Sequence, residues 1–214
     1  MILVYPYRHC PHNGRELRYS IRSMVKHFKD LTGVCVIGDR PEWFTGDHIP
    51  AMDMTGRKEW SIVSKVMLAP AGVFLLSSDD VFALKDFDAN MPFYYSGSLS
   101  SARARAAGQY PQRISNTIQL YPEGLMYDCH TPMVINKHTY CNLHGKCNWQ
   151  AREYLNKSVY ANGIHPVGEH MPDCKIRRGS VIPNLPFFST SDQTSLNIPL
   201  ETMYPDASPY EKNT

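Results

Sequence analysis

The sequence predicts an α/β fold: a mostly parallel central sheet flanked by helices, in one domain. Three stretches carry that expectation. Residues 2–5 and 34–37 are short apolar runs, and the clearest amphipathic helix of the chain lies between them. A strand–helix–strand unit of this length implies a parallel pair joined by a right-handed crossover. The third stretch, residues 73–82, is an apolar run led in by Pro70-Ala71-Gly72 that contains two adjacent carboxylates, Asp79 and Asp80. It reads as a buried strand. Ligand-binding groups collect where such strands leave the sheet, at their carboxyl ends. Paired hard oxygen ligands there suit Mg²⁺ or Mn²⁺, which usually also binds substrate phosphates.

A length of 214 residues accommodates one domain with an extension. The expected division is a domain over residues 1–182 and an irregular tail over 183–214, rich in Pro, Ser and Thr, that wraps it. The net charge of +2 is far from that of a histone-like binder, and it excludes neither sugar nor nucleic acid. No apolar run approaches a membrane span, and the opening residues do not read as a signal peptide. The six cysteines form no disulfide-like framework. They read as reduced thiols of a cytoplasmic protein.

In order along the chain, the first strand is expected to stop at Pro6. The polar loop after it places Arg8 and His9 beside the ligand crevice, as nucleotide contacts or as plain surface. Asn13-Gly14-Arg15-Glu16 has the form of a capping box. Leu17, Ile21, Met24, Val25 and Phe28 then share one helix face, and Arg15, Arg18, Arg22 and Lys26 make a face expected to be solvated. Asp39, in the turn after the second strand, lies where such folds hold a ribose or base edge. Trp43 and Phe44 read as cover for the sheet. Residues 49–57 are irregular. Lys65, in a helix expected over 59–68, either neutralises a phosphate or points to water.

Residues 93–95 read as a further strand, and 101–107 and 116–120 as helical, with a Tyr-Pro break before Arg113. Arg103, Arg105 and Arg113, with Arg177 and Arg178, offer either a phosphate-binding patch or solvated cations. Asp128 and His130 flank Cys129. Residues two apart on an extended segment share a face, so this carboxylate and imidazole can act together as a general base. His138, Cys141, His144 and Cys147 recur every three residues, donor types that suit zinc in a spacing unlike the common zinc motifs. Asp173 and Lys175 belong to a cluster able to hold a diphosphate with a metal, or to form a charged turn. No Gly-rich phosphate loop is present, which argues against a P-loop kinase or a nicotinamide enzyme.

Taken together, three motifs resemble the Stealth-type sugar-phosphate transferases and small bacterial and phage glycosyltransferase-type proteins that share their core. They are residues 13–23 (NGRELRYSIRS), 38–43 (GDRPEW) and 78–82 (SDDVF). His130-Thr131-Pro132 is similar to the family's later His-x-Pro element, and residues 158–162, 173–175 and 205–211 resemble the closing motifs of the small proteins. The opening Tyr5-Pro6-Tyr7-Arg8 departs from the Stealth pattern, which carries an earlier segment with its own acidic residue. That favours plain glycosyl transfer.

The resemblance implies a GT-A-like fold, a divalent metal (Mn²⁺ or Mg²⁺) and a nucleotide-sugar donor, a UDP-sugar first. Asp79 and Asp80 would hold the metal and Asp173 complete its shell. Arg8, Asp39, Lys65 and Lys175 would meet the nucleotide and its phosphates, and Asp128 or His130 would take the acceptor proton. The acceptor is a hydroxyl, on a glycan or polymer or, as befits a phage enzyme in its host's cytoplasm, on a hydroxymethylated DNA base. The alternatives are a sugar-1-phosphate transferase and a non-catalytic zinc-stabilised binding module.

Overall fold

A computed structural model describes residues 1–9, 14–177, 181–191 and 197–212. Its centre is a five-stranded sheet in the order β3-β2-β1-β4-β7. β1 (Ile2–Tyr7), β2 (Gly33–Gly38), β3 (Asp47–Ile49) and β4 (Val73–Leu76) run parallel, and β7 (Met133–Asn136) lies antiparallel beside β4. The fold is therefore mixed α/β with a mostly parallel sheet. Alternate residues of β1 enter different cores. Leu3, Tyr5 and Tyr7 pack with Leu17, Ile21 and Met24 of α1 (Arg15–His27). Val4 packs with Val63 and Val66 of α2 (Lys58–Val66), Tyr140 of α5 (Lys137–Gly145) and Val159 of α6 (Asn156–Ile164). Burial on both faces explains why these strands read as continuous apolar runs. Each such side chain contributes about 1.5–3 kcal/mol on leaving water.

Several expectations are revised. β1 does not stop at Pro6 but continues through it to Tyr7. The Val4 carbonyl accepts from Ser77 on the β4 side, so Pro6, two residues on, faces that same side, where β1–β4 pairing has ended at Val4. Its missing N–H costs no ladder bond. The run 73–82 is two strands: β4, a turn holding Asp79 and Asp80, then β5 (Val81–Ala83). β5 pairs antiparallel with β9 (Phe187–Ser189), and β6 (Phe93–Tyr95) pairs parallel with β8 (Gly168–His170). Pro111 opens α4 (Tyr110–Leu120) rather than breaking it, since the first helical turn needs no proline N–H. α3 (Leu99–Arg105) is capped by the Ser98 hydroxyl, which accepts from the Ser101 amide at 3.1 Å. Helix α1 starts after Gly14, and the expected cap Asn13 lies outside the described residues.

Of the basic face of α1 only Lys26 is exposed; its arginines are engaged. Arg22 makes a two-pronged contact with Glu211, both bonds 2.8 Å, and donates to the Tyr204 and Pro205 carbonyls at 3.1 Å. Arg15 meets Glu201, on the short helix α7 (Leu200–Met203), at 2.8 Å. The Arg18 guanidinium lies 4.8 Å from the Trp43 ring. The C-terminal stretch is thus fastened along this helix. Trp43 and Phe44 are buried.

Candidate functional site

In the order 3-2-1-4, the chain leaves β1 toward β2 on one side while β4 lies on the other. The crevice at such a reversal, at the carboxyl ends of the strands, is where open α/β sheets bind ligands. Here it lies between the segment after Tyr7 and the turn at Ser77–Asp80.

Serines of α1 hold that turn from below. The Tyr5 and Ser20 hydroxyls are 2.9 Å apart, Ser20 donates to the Val81 carbonyl, and Ser23 accepts from the Ala83 amide at 3.0 Å. Burial, with the charge of Asp79 added, pushes the Tyr5 phenol well above its ordinary pKa, so it stays a neutral hydrogen-bonding group.

Asp80 accepts from Lys175 Nζ at 2.8 Å and from the Ser189 hydroxyl at 3.1 Å. Its side chain is 19% exposed. Burial alone would raise its carboxyl, but the ammonium of Lys175, the charge of His130 and the two hydrogen bonds outweigh that and hold it below the usual range. Both partners arrive by strand adjacency. Residues 173–177 run beside β9: the Ile176 amide donates to the Ser189 carbonyl at 2.8 Å and the Ser189 amide to the Cys174 carbonyl at 3.1 Å. The segment alternates as a half-buried strand does. Cys174 and Ile176 are buried in the cores, while Asp173, Lys175 and Arg177 carry the site's charges.

Asp173 faces the second half of the site. Its Oδ1 lies 2.7 Å from Nδ1 of His130, and its Oδ2 accepts from Arg177 at 2.9 Å. Burial alone would raise this carboxyl, but the bond to His130 and the neighbouring positive charges bring it to about 2. It is ionised near neutral pH and can only accept, so the Nδ1 of a neutral His130 carries the proton. Nε2 makes no hydrogen bond among the described residues. His130 has a backbone φ of 57°. For a side chain with a Cβ this left-handed geometry costs about 1–3 kcal/mol and persists only where the surroundings enforce it. Here the Cys174 thiol donates to the His130 carbonyl at 2.9 Å.

The same turn separates Asp128 from His130. The extended geometry that would put both on one face is lost, and Asp128 instead accepts from the amide and hydroxyl of Ser158, at 3.0 and 2.6 Å. It satisfies a free amide in the first turn of α6, where a negative charge is favourable. Lys65 neither faces water nor presents a free ammonium. It is buried and donates to the Tyr7 carbonyl and to Asp53, both at 2.7 Å. Gly38, with φ 124°, permits this, since a Cβ there would meet the Tyr7 oxygen at 2.0 Å. Asp39 accepts from the His9 amide at 2.7 Å, tying the ends of β1 and β2 together, and Arg8 is exposed beside them.

The basic patch does not assemble. Arg113 is half-buried between Glu59, at 3.4 Å, and Glu153, at 2.8 Å. Arg177 binds Asp173, Arg103 and Arg105 are exposed on α3, and Arg178 lies outside the described residues. The zinc set also scatters. His144 is packed between the Tyr140 and Trp149 rings, while exposed His138 pairs with Asn142. Among the described residues no three His, Cys, Asp or Glu groups are placed to hold a metal ion. By residue type, Asp79 and Asp80 are the carboxylates that a Mg²⁺ site with one or two protein ligands would draw on, the rest coming from substrate phosphates and water; Asp80 Oδ2 is already engaged by Lys175 and Ser189. Ser189 is the site residue that sequence reasoning missed. It stands 109 positions from Asp80, and only the β5–β9 pairing brings it near.

No protein-family model matches the chain, and no curated protein is significantly similar to it. Among solved structures, the chain is similar to 2-C-methyl-D-erythritol 4-phosphate cytidylyltransferase from Thermus thermophilus. The identity is 10% and the TM-score 0.47, over 95% of this chain and 98% of that one. A likeness at that level assigns no activity.

Proposed function

We propose that the chain is a nucleotide-sugar-dependent glycosyltransferase of GT-A-like architecture, acting on a hydroxyl acceptor. The observation that carries this reading is the meeting of an ion pair, Asp80–Lys175, and a carboxylate–imidazole pair, Asp173–His130, beyond the carboxyl end of β4 at the sheet's reversal point. The three motifs that resemble those of glycosyltransferase-type proteins support it.

In the reaction, the acceptor oxygen forms a bond to the sugar's anomeric carbon as that carbon's bond to the donor's diphosphate breaks. Negative charge grows on the departing diphosphate, and fixed cations stabilise such charge most effectively when placed in advance. Lys175 supplies one. Asp79 and Asp80 would hold Mg²⁺ or Mn²⁺, which when bound supplies Lewis-acid stabilisation of the phosphate oxygens. His130, through Nε2, receives the acceptor's proton. Asp39 and Arg8, just after β2 and β1, would meet the nucleoside, with a UDP-sugar as the first donor to test.

A glycan or polymer acceptor is favoured over modified DNA. The five arginines that would have formed a phosphate-binding surface include one paired with two glutamates and one bound to Asp173. Duplex binding should then be nearly indifferent to salt, whereas a DNA enzyme would weaken steeply.

The test is a screen of nucleotide sugars for thermal stabilisation and for hydrolysis, with Mn²⁺, with Mg²⁺ and with chelator. Release of nucleoside diphosphate from one donor is the expected result. Release of nucleoside monophosphate, with a product heavier by a phosphate, would replace this reading with sugar-1-phosphate transfer. No response to any donor would remove it.

A further inference from the structure

Within that reading, we infer that Asp173 is a positioning residue for His130 and neither a metal nor a phosphate ligand. Four observations converge. Both Asp173 oxygens are engaged, Oδ1 by Nδ1 of His130 at 2.7 Å and by the Lys175 amide at 3.2 Å, and Oδ2 by Arg177 at 2.9 Å. The carboxylate–imidazole contact fixes the ring's orientation and leaves Nε2 as its acceptor atom, the division of labour that an orienting acid gives a base. The backbone around the pair is pinned by Cys174, whose thiol donates to the His130 carbonyl at 2.9 Å and whose amide donates to the Cys129 carbonyl at 3.5 Å. His130 itself is held at a φ of 57°. A residue locked into an unfavourable backbone, with its ring aimed by an ionised partner, has the marks of a group whose direction matters. The segment delivering Asp173 also delivers Lys175 to Asp80, so it sets the partner of the base and the phosphate-side cation in a fixed relation.

Two measurements test this. The first needs no substrate: ring nitrogen shifts of His130 by NMR, at a pH where the imidazole is neutral. The inference expects the Nδ1–H form in the wild type and its loss in Asp173→Ala; a wild-type ring protonated at Nε2 overturns it. The second is a double-mutant cycle on transfer with His130→Ala, Asp173→Ala and both. Asp173→Ala should lower kcat at least tenfold, within the roughly 10²–10⁴-fold span of a general base. Donor KM should change less than about twofold, and in the His130→Ala background the substitution should cost almost nothing more. A full cost in that background, or a loss carried by donor KM or by Mn²⁺ affinity, would make Asp173 a ligand and overturn the inference. If the wild type transfers no sugar, the functional reading fails while the tautomer measurement still decides this one.

Discussion

Asp173 ties the chemistry of the site to its stability. A carboxyl depressed from 3.8 to about 2 in the folded protein stabilises it fully above the unfolded value, and that contribution fades as pH falls through about 2. The magnitude is on the order of 2 kcal/mol. Asp173→Asn should therefore flatten the acid limb of a Tm-versus-pH curve between about pH 4 and pH 2, which a thermal melt series measures directly. Asp80→Asn should leave the fold intact and abolish transfer, because a neutral amide is a poor partner for both a divalent cation and an ammonium. Full activity of that variant would remove Asp80 from the site. Gly38→Ala forces a Cβ against the Tyr7 oxygen at a φ of 124°, so it should cost on the order of 3 kcal/mol in urea unfolding.

At the scale of elements, the sequence disclosed the alternation of β1, α1, β2 and β4, because apolar periodicity reports burial. It hid what covers each polar face. The arginines of α1 look like a solvated stripe from their spacing alone, and only the arrival of Glu211, 189 positions after Arg22, makes them a docking surface. Arg113 looked like surface cation for the same reason. Helix α2 places Glu59 in a buried position, accepting from Asn156 at 2.8 Å. Burial first, and then the charge of Asp128, raises its carboxyl to about 7. Its charged form is thus disfavoured in the folded state, and stability falls as pH rises from about 4.5 through about 7. Glu59→Gln should remove that fall, making the variant more stable than wild type at pH 8 by roughly 1–2 kcal/mol in denaturant titrations. Glu211→Gln has the opposite sign. It leaves Arg22, only 13% exposed, without its countercharge, at a cost of roughly 2–3 kcal/mol.

For the molecule as a whole, the parallel sheet and the carboxylates at the end of β4 were legible because both are local: a run of apolar residues, then two aspartates. The site around them was legible only in pieces. His130, Asp173 and Lys175 stood out as chemical residue types, yet their pairing depends on a left-handed turn and on strand adjacency, neither of which has a local pattern. Asp128 showed the hazard, since spacing alone paired it with the wrong group. Phe187 and Phe188 are fully buried, so a chain truncated after residue 182 should lose its cooperative urea transition. A cooperative transition like that of the full chain would show the first 182 residues to be self-sufficient. The fastening of the last stretch along α1 has a consequence for synthesis. A ribosome delivers the sheet and both aspartates early, but Ser189 follows Asp80 by 109 positions, and the Glu211 contact comes later still. A nascent chain therefore carries an unfinished crevice, which is completed only when that late stretch has emerged and docked.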